Sequence, residues 1–291
     1  MVRVEAGGPQ PTISPHVALR SLLLSWFKSE LEAALALRPP VKGEGSLISS
    51  ISKASSVEEL LPLIPEATGI ARLEAISKLA ELAKNGEVQD KLVSLLKNPD
   101  YEKVSGDILV ALGKLGLEDG LPVAEKIRST FNELPDSVKA QACMVLGVLR
   151  DEKAADLIWD FLQRVSGDRQ LSAAALMALV DLGDVRANDV IVSALEGGDF
   201  TLEHLGLAAR VGEERAVKKL MELLLSGNSQ LRAAAMNALA YIVKVRGTRP
   251  LLPYLSHSKR PVKKLARQVV RLSRQSLSYF KLFHPLDKEF Y

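Results

Sequence analysis

The chain has one cysteine in 291 residues, Cys143. A lone thiol makes no internal disulfide and cannot build a multi-cysteine metal site. It sits in the apolar stretch Ala-Cys-Met-Val-Leu, which predicts a buried structural thiol on a helix. Aromatic residues are scarce too, at 5% against 47% apolar residues overall. Leucine and alanine must therefore carry the core, as they do in thin helix-on-helix layers. Nothing approaches the roughly 20 apolar residues of a membrane span. The opening Met-Val-Arg-Val-Glu-Ala-Gly-Gly-Pro contains no apolar signal core, so a cytoplasmic protein is expected. The four histidines, His16, His204, His257 and His284, have no His or Cys partner three or four residues away, and no metal is expected. Phosphate-cradling glycine loops, zinc-hydrolase helices, nucleophile elbows and calcium loops are missing. Carboxylates such as Asp151-Glu152 and Glu213-Glu214 fall in turns, where they suit helix N-termini. No catalytic residue or cofactor is predicted, although a site assembled from distant segments stays open.

A further absence is local. From Leu223 to Leu286 there is no Asp or Glu, while twelve Lys or Arg occur. The first 222 residues hold 25 basic and 33 acidic side chains, a net charge of −8, and the last five residues contribute −1. The overall charge of +3 thus conceals a chain polarised along its length.

What is present is a phrase returning about every 30 residues. It reads Ala-Ile-Ser-Lys-Leu-Ala-Glu-Leu at 75–82, Val-Ala-Leu-Gly-Lys-Leu-Gly at 110–116 and Val-Leu-Gly-Val-Leu-Arg-Asp at 145–151. It returns as Ala-Leu-Val-Asp-Leu-Gly-Asp at 178–184, Leu-Ala-Ala-Arg-Val-Gly-Glu at 207–213 and Ala-Leu-Ala-Tyr-Ile-Val-Lys at 238–244. The period predicts stacked helix pairs, an α-solenoid. In each pair a first helix ends in the phrase, and a short turn such as Gly116-Leu117-Glu118, Gly183-Asp184 or Gly212-Glu213-Glu214 leads to the second. Leu79, Leu112, Leu146, Leu179, Ala208 and Leu239 align. The clusters Asn98-Pro99-Asp100, Pro135-Asp136-Ser137, Gly167-Asp168, Gly197-Gly198-Asp199 and Gly227-Asn228-Ser229 separate the pairs, each offering a capping residue. Strand signals are nearly absent. The expected organisation is a disordered stretch over 1–14, a helical cap or subdomain over 15–68, repeats over 69–275 and an aromatic-rich tail over 276–291. Within the cap, a strong helix over 15–37 and a capping box at Ser56-Val57-Glu58-Glu59 are predicted.

The turn residue followed by Val-Lys or Leu-Arg, Ala, and then Ala-Leu with Gly and an acid resembles the HEAT-repeat family. Asp136 to Gly147 and Ser229 to Leu239 match best, and the likeness is to the short HEAT-like repeats first described in phycobilin lyases. It covers about 70% of the chain. The resemblance implies an all-α right-handed superhelix of about six helix pairs. It leaves function open, since such repeats serve in scaffolds, transport receptors, DNA-binding proteins and lyases.

The sharpest candidate surface is the helix over 260–274. Arg260, Lys263, Lys264, Arg267, Arg271 and Arg274 step by three or four and share about 100° of arc, with Val262, Leu265, Val269 and Leu272 opposite. The stripe fits a solvated terminal cap, a surface for phosphates or an acidic protein, or a membrane surface. Arg246, Arg249 and Lys259 extend it. The tail aromatics Tyr279, Phe280, Phe283, Phe290 and Tyr291 would cover the last apolar ridge, dock elsewhere or stack on bases. On second helices, Trp159, Lys218 and Lys219 are contact candidates, Trp159 equally serving as core. The leading expectation is a non-catalytic interaction scaffold steering an acidic protein partner. Nucleic-acid binding is the alternative. An enzyme akin to bilin lyases or HEAT-like DNA glycosylases comes third, with Trp159-Asp160 on a second helix the adjacent aromatic–acid pair of the kind a glycosylase needs.

Overall fold

The computed structural model describes residues 44–274, apart from 68, 119, 121 and 227. The expected helix over 15–37, the stretch 1–14, the tail over 276–291, His16 and His284 lie outside the described residues. Within them every regular element is helical, and the chain is all-α. It divides into two compact units, with the boundary between Lys126 and Ile127.

In the first unit the elements are α1 (Glu44–Lys53), α2 (Val57–Leu60), α3 (Gly69–Leu82), α4 (Gly86–Leu95) and α5 (Glu102–Glu118). Ser56 caps α2 by accepting the Glu59 amide at 3.3 Å, as its spacing predicts. The reciprocal bond reaches back one residue further than in a standard capping box, because Glu59 Oε2 accepts the Ser55 amide at 2.8 Å. These bonds hold the Glu59 carboxyl below its ordinary range. Helix α3 packs on α1 and α5. A bidentate pair ties α3 to α5: Arg72 Nε and Nη2 donate to Asp107 at 2.7 and 3.1 Å, and Asp107 is 3% exposed. A carboxylate so deeply placed needs such a partner. Asn85 caps α4 through the Glu87 amide at 2.9 Å. The turn expected at Gly116-Leu117-Glu118 is helix instead. A glycine inside a helix costs only about 1 kcal/mol, so α5 runs on and the left-handed residue is Gly120 (φ 66°).

Helix α6 (Val123–Thr130) straddles the boundary. The second unit continues with α7 (Asp136–Val148), α8 (Ala155–Arg164), α9 (Arg169–Leu182), α10 (Val185–Gly197), α11 (Leu202–Val211), α12 (Glu214–Leu224), α13 (Ser229–Arg246), α14 (Leu252–Leu255) and α15 (Arg260–Leu272). Here α7, α9, α11, α13 and α15 pack each on the next, and α8, α10, α12 and α14 each touch a neighbour in that row. All six aligned residues of the recurring phrase are 0% exposed, which is why the phrase recurs. Cys143 is buried on α7, and burial pushes its thiol far up.

Helices α7 and α9 approach closely, since a Cβ on Gly147 would lie 2.9 Å from the Ala178 Cα. Asp168, Asp184 and Asn228 cap α9, α10 and α13. Two caps differ from expectation. Asp136 lies one residue inside α7 and pairs with Lys139 at 3.3 Å, since Pro135 holds the cap position. Thr201, two residues beyond Asp199, caps α11 in a box with His204. The left-handed residue after α9 is Gly183 (φ 76°) and after α11 Gly212 (φ 59°). After α7 the same place is taken by Arg150 (φ 54°), an unfavourable backbone for any residue with a Cβ.

The basic face of the last helix

Helix α15 forms despite its charge. Pro261 presets the first turn, and the Lys259 amide donates to His257 Nδ1 at 3.0 Å. No acid occupies the first turn, so Arg260, Lys263 and Lys264 face the positive end of the helix dipole. Like charges also repel at Arg260/Lys264, Lys263/Arg267 and Arg267/Arg271, each four residues apart. What holds the helix is its other face: Val262, Ala266 and Val269 are buried against α13 and α14, and Ser273 Oγ donates to the Val270 carbonyl at 2.8 Å. Leu265 and Leu272, expected on the buried side, are half-buried at its flank.

Arg260, Lys264, Arg267, Arg271 and Arg274 are exposed, and Lys263 is half-buried. Among the described residues none of these six cations enters an ion pair. Several cations on the earlier helices of the unit are matched instead. Arg186 donates to Asp184 at 2.6 Å and to Asp156 at 2.9 Å, and its hydrogen bonds hold the Asp184 carboxyl below the usual range. Arg215 grips Glu196 at 2.6 and 3.2 Å. Arg128 pairs with Asp151, and Arg210 with Asp181.

The remaining candidates are dispersed. Arg249 is exposed at the start of a 3-10 turn preceding α14. Arg246 donates to the carbonyls of Gly212 (3.4 Å) and Arg210 (3.3 Å), capping the C-terminus of α11 one repeat back. A Cβ on Gly212 would meet the Arg246 guanidinium at 2.8 Å, so this glycine serves both the left-handed turn and the contact. Trp159 is half-buried on α8 beneath the Arg186 guanidinium, 5.0 Å from the ring centroid, and Asp160 is exposed. Lys218 is exposed on α12, while Lys219 is half-buried and pairs with Glu222 at 3.4 Å. The structure therefore gathers Arg260, Lys263, Lys264, Arg267 and Arg271 on one face, puts Arg274 in the turn just past the helix end at Leu272, and leaves Trp159, Lys218 and Lys219 on other helices.

Two features were not read from the sequence. One is a cleft of about 340 Å³ lined by Leu224, Leu225, Arg232, Ala233, Met236 and Leu265. The other is a charged column: Asp181, Arg210 and Tyr241 each stand two places after the aligned residue of the phrase, on adjacent helices α9, α11 and α13. Arg210 Nη1 is buried there without a hydrogen-bond partner. Aligning the phrases would have shown that column. Among the described residues no group of three His, Cys, Asp or Glu is placed to hold a metal ion, and no helix is long and apolar enough to cross a membrane.

No family model and no curated protein matches the chain. Among solved structures, an engineered protein is similar at 18% identity over 90% of this chain and 82% of its own, with a TM-score of 0.40. Human deoxyhypusine hydroxylase, solved in complex with glycerol, is similar at 12% identity over 87% of this chain and 99% of its own, with a TM-score of 0.27. Neither likeness carries an argument about what this chain does.

Proposed function

We propose that this protein is a non-catalytic interaction scaffold, an α-solenoid of HEAT-like repeats whose basic last helix docks an acidic partner protein. The solenoid reading rests on the recurring phrase and on helices that stack each upon the next in the unit from 127 onward. One observation carries the functional reading: five cations share one face of α15, Arg274 follows just past its end, and none of the six has an ion-pair partner among the described residues, while several cations on earlier helices of the unit, such as Arg186 and Arg215, are paired. The arrangement costs the free helix stability through repulsion and through the dipole, and a dense negative surface would return that energy on binding. It would also steer encounter. An acidic protein is favoured over nucleic acid because the chain as a whole carries only +3, and dedicated nucleic-acid binders are more basic.

The test is fluorescence anisotropy of labelled polyglutamate and of labelled duplex and single-stranded DNA and RNA. Each is titrated with the full chain and with its Arg267→Glu/Arg271→Glu variant at several salt concentrations. The expected result is polyglutamate binding that weakens with salt and is lost in the variant. Tighter binding of DNA or RNA with a steep salt slope would replace the proposal with the nucleic-acid reading. Binding unchanged in the variant would remove α15 from it.

A further inference from the structure

The cleft beside α15 bears on what kind of acidic partner fits. Its walls come from the end of α12 (Leu224, with Leu225 just past it), the first turns of α13 (Arg232, Ala233, Met236) and the flank of α15 (Leu265). The lining is apolar except for Arg232, and its volume of about 340 Å³ is at the lower end for a ligand pocket. Leu225 is 48% exposed at its rim, where an incoming side chain can reach it. Arg232 is exposed at the same rim. On a helical projection Leu265 lies about 100° from Lys264, so the apolar wall and the basic stripe are adjacent faces of one helix. Tyr254 on α14, Leu252 (54% exposed) and Val245 (58% exposed) add further apolar surface to these last helices.

Two recognition chemistries therefore meet at one edge. Cations without counter-charges attract carboxylates, and an open apolar cleft accepts a bulky side chain. A nucleic-acid backbone would satisfy the first and offer nothing to a leucine- and methionine-lined cavity. A purely acidic surface would leave the cleft wet. The occupant that satisfies both is a peptide segment carrying several Asp or Glu and one large apolar residue.

We infer that the Leu224–Leu225–Met236–Leu265 cleft is an anchor pocket for one bulky apolar side chain of an acidic peptide, whose carboxylates lie along Lys264, Arg267 and Arg271. This rests on the acidic-partner reading above and specifies its ligand. Charge gives such a site its on-rate and salt dependence, while the buried anchor gives it residence time and selectivity.

The experiment uses two labelled peptides, a short polyglutamate with a single central Trp and the same peptide with Ser in that place. Each is titrated by anisotropy into the full chain, a Leu225→Ser variant and a Leu225→Met variant. Leu225 is half-exposed, so neither substitution opens a core cavity. The wild-type protein is expected to prefer the Trp peptide by about tenfold, the return for burying one such side chain. Leu225→Ser should shrink that preference to about twofold or less while leaving the Ser peptide's affinity unchanged, and Leu225→Met should restore it. Equal binding of both peptides by the wild-type chain, or a preference that persists in Leu225→Ser, overturns the anchor pocket and leaves the acidic-partner reading standing. Binding of neither peptide at low salt overturns that reading and the pocket with it.

Discussion

Reversing the charge of Arg267 should make the protein more stable while removing it from the binding business of α15. Arg267 is exposed at the centre of the basic face. Lys263 and Arg271 lie four residues to either side and Lys264 three residues away, all positive. Each like-charged pair at this spacing costs a few tenths of a kcal/mol, and each opposite pair gains about as much. Arg267→Glu converts three repulsions into three attractions, a swing of about 1–3 kcal/mol at low ionic strength. Glu and Arg have nearly equal helix propensities, and position 267 is far enough inside α15 for the dipole to matter little. The assay is thermal or urea unfolding of wild type and variant in parallel, at low salt and again near 1 M salt. The expected result is a midpoint raised by several degrees at low salt, with the gap narrowing as salt screens the charges. A variant no more stable than wild type at low salt would mean that the cations are already neutralised within the chain, and the argument for an external anion would fail.

Three further perturbations probe the frame that presents this face. Gly147→Ala should destabilise by about 1–3 kcal/mol in urea unfolding, although alanine is the better helix former, because the new Cβ meets the Ala178 backbone at 2.9 Å. Arg150→Gly should do the opposite, stabilising by about 1 kcal/mol, since glycine adopts the left-handed backbone that Arg150 strains to hold. Asp184→Asn keeps the α10 cap but loses the ion pair with Arg186. Because the Asp184 carboxyl is held below its ordinary value in the folded protein, its stabilisation is present above about pH 4 and is lost as pH falls through the folded value. Unfolding curves of wild type and variant should therefore differ at pH 7 and converge in acid.

The parts of this architecture that could be read from the sequence are those set by local periodicity. The phrase leucines had to be buried because they recur where helix meets helix, and Leu79, Leu112, Leu146, Leu179 and Leu239 are fully so. Asp168 and Asn228 could be assigned as caps because a capping bond spans only two or three residues. Gly116 misleads as a stop because a glycine marks permission for a left-handed turn, not a requirement. The basic stripe of α15 was legible for the same local reason. Its setting was not: Arg246 reaches carbonyls 34 and 36 residues back, and the cleft joins Leu224 to Leu265 through a helix packing that no short window contains. Trp159 is equally non-local, since its partner Arg186 arrives from the next helix pair and is itself aimed by Asp156 and Asp184.

Amide hydrogen exchange of the full chain, with and without saturating polyglutamate, tests the central claim most directly because it reports where the anion sits. The account predicts slowed exchange concentrated in α15 and the adjoining start of α13. Slowing centred on the mixed-charge helices α8, α10 or α12, or no slowing anywhere despite saturation, would contradict it.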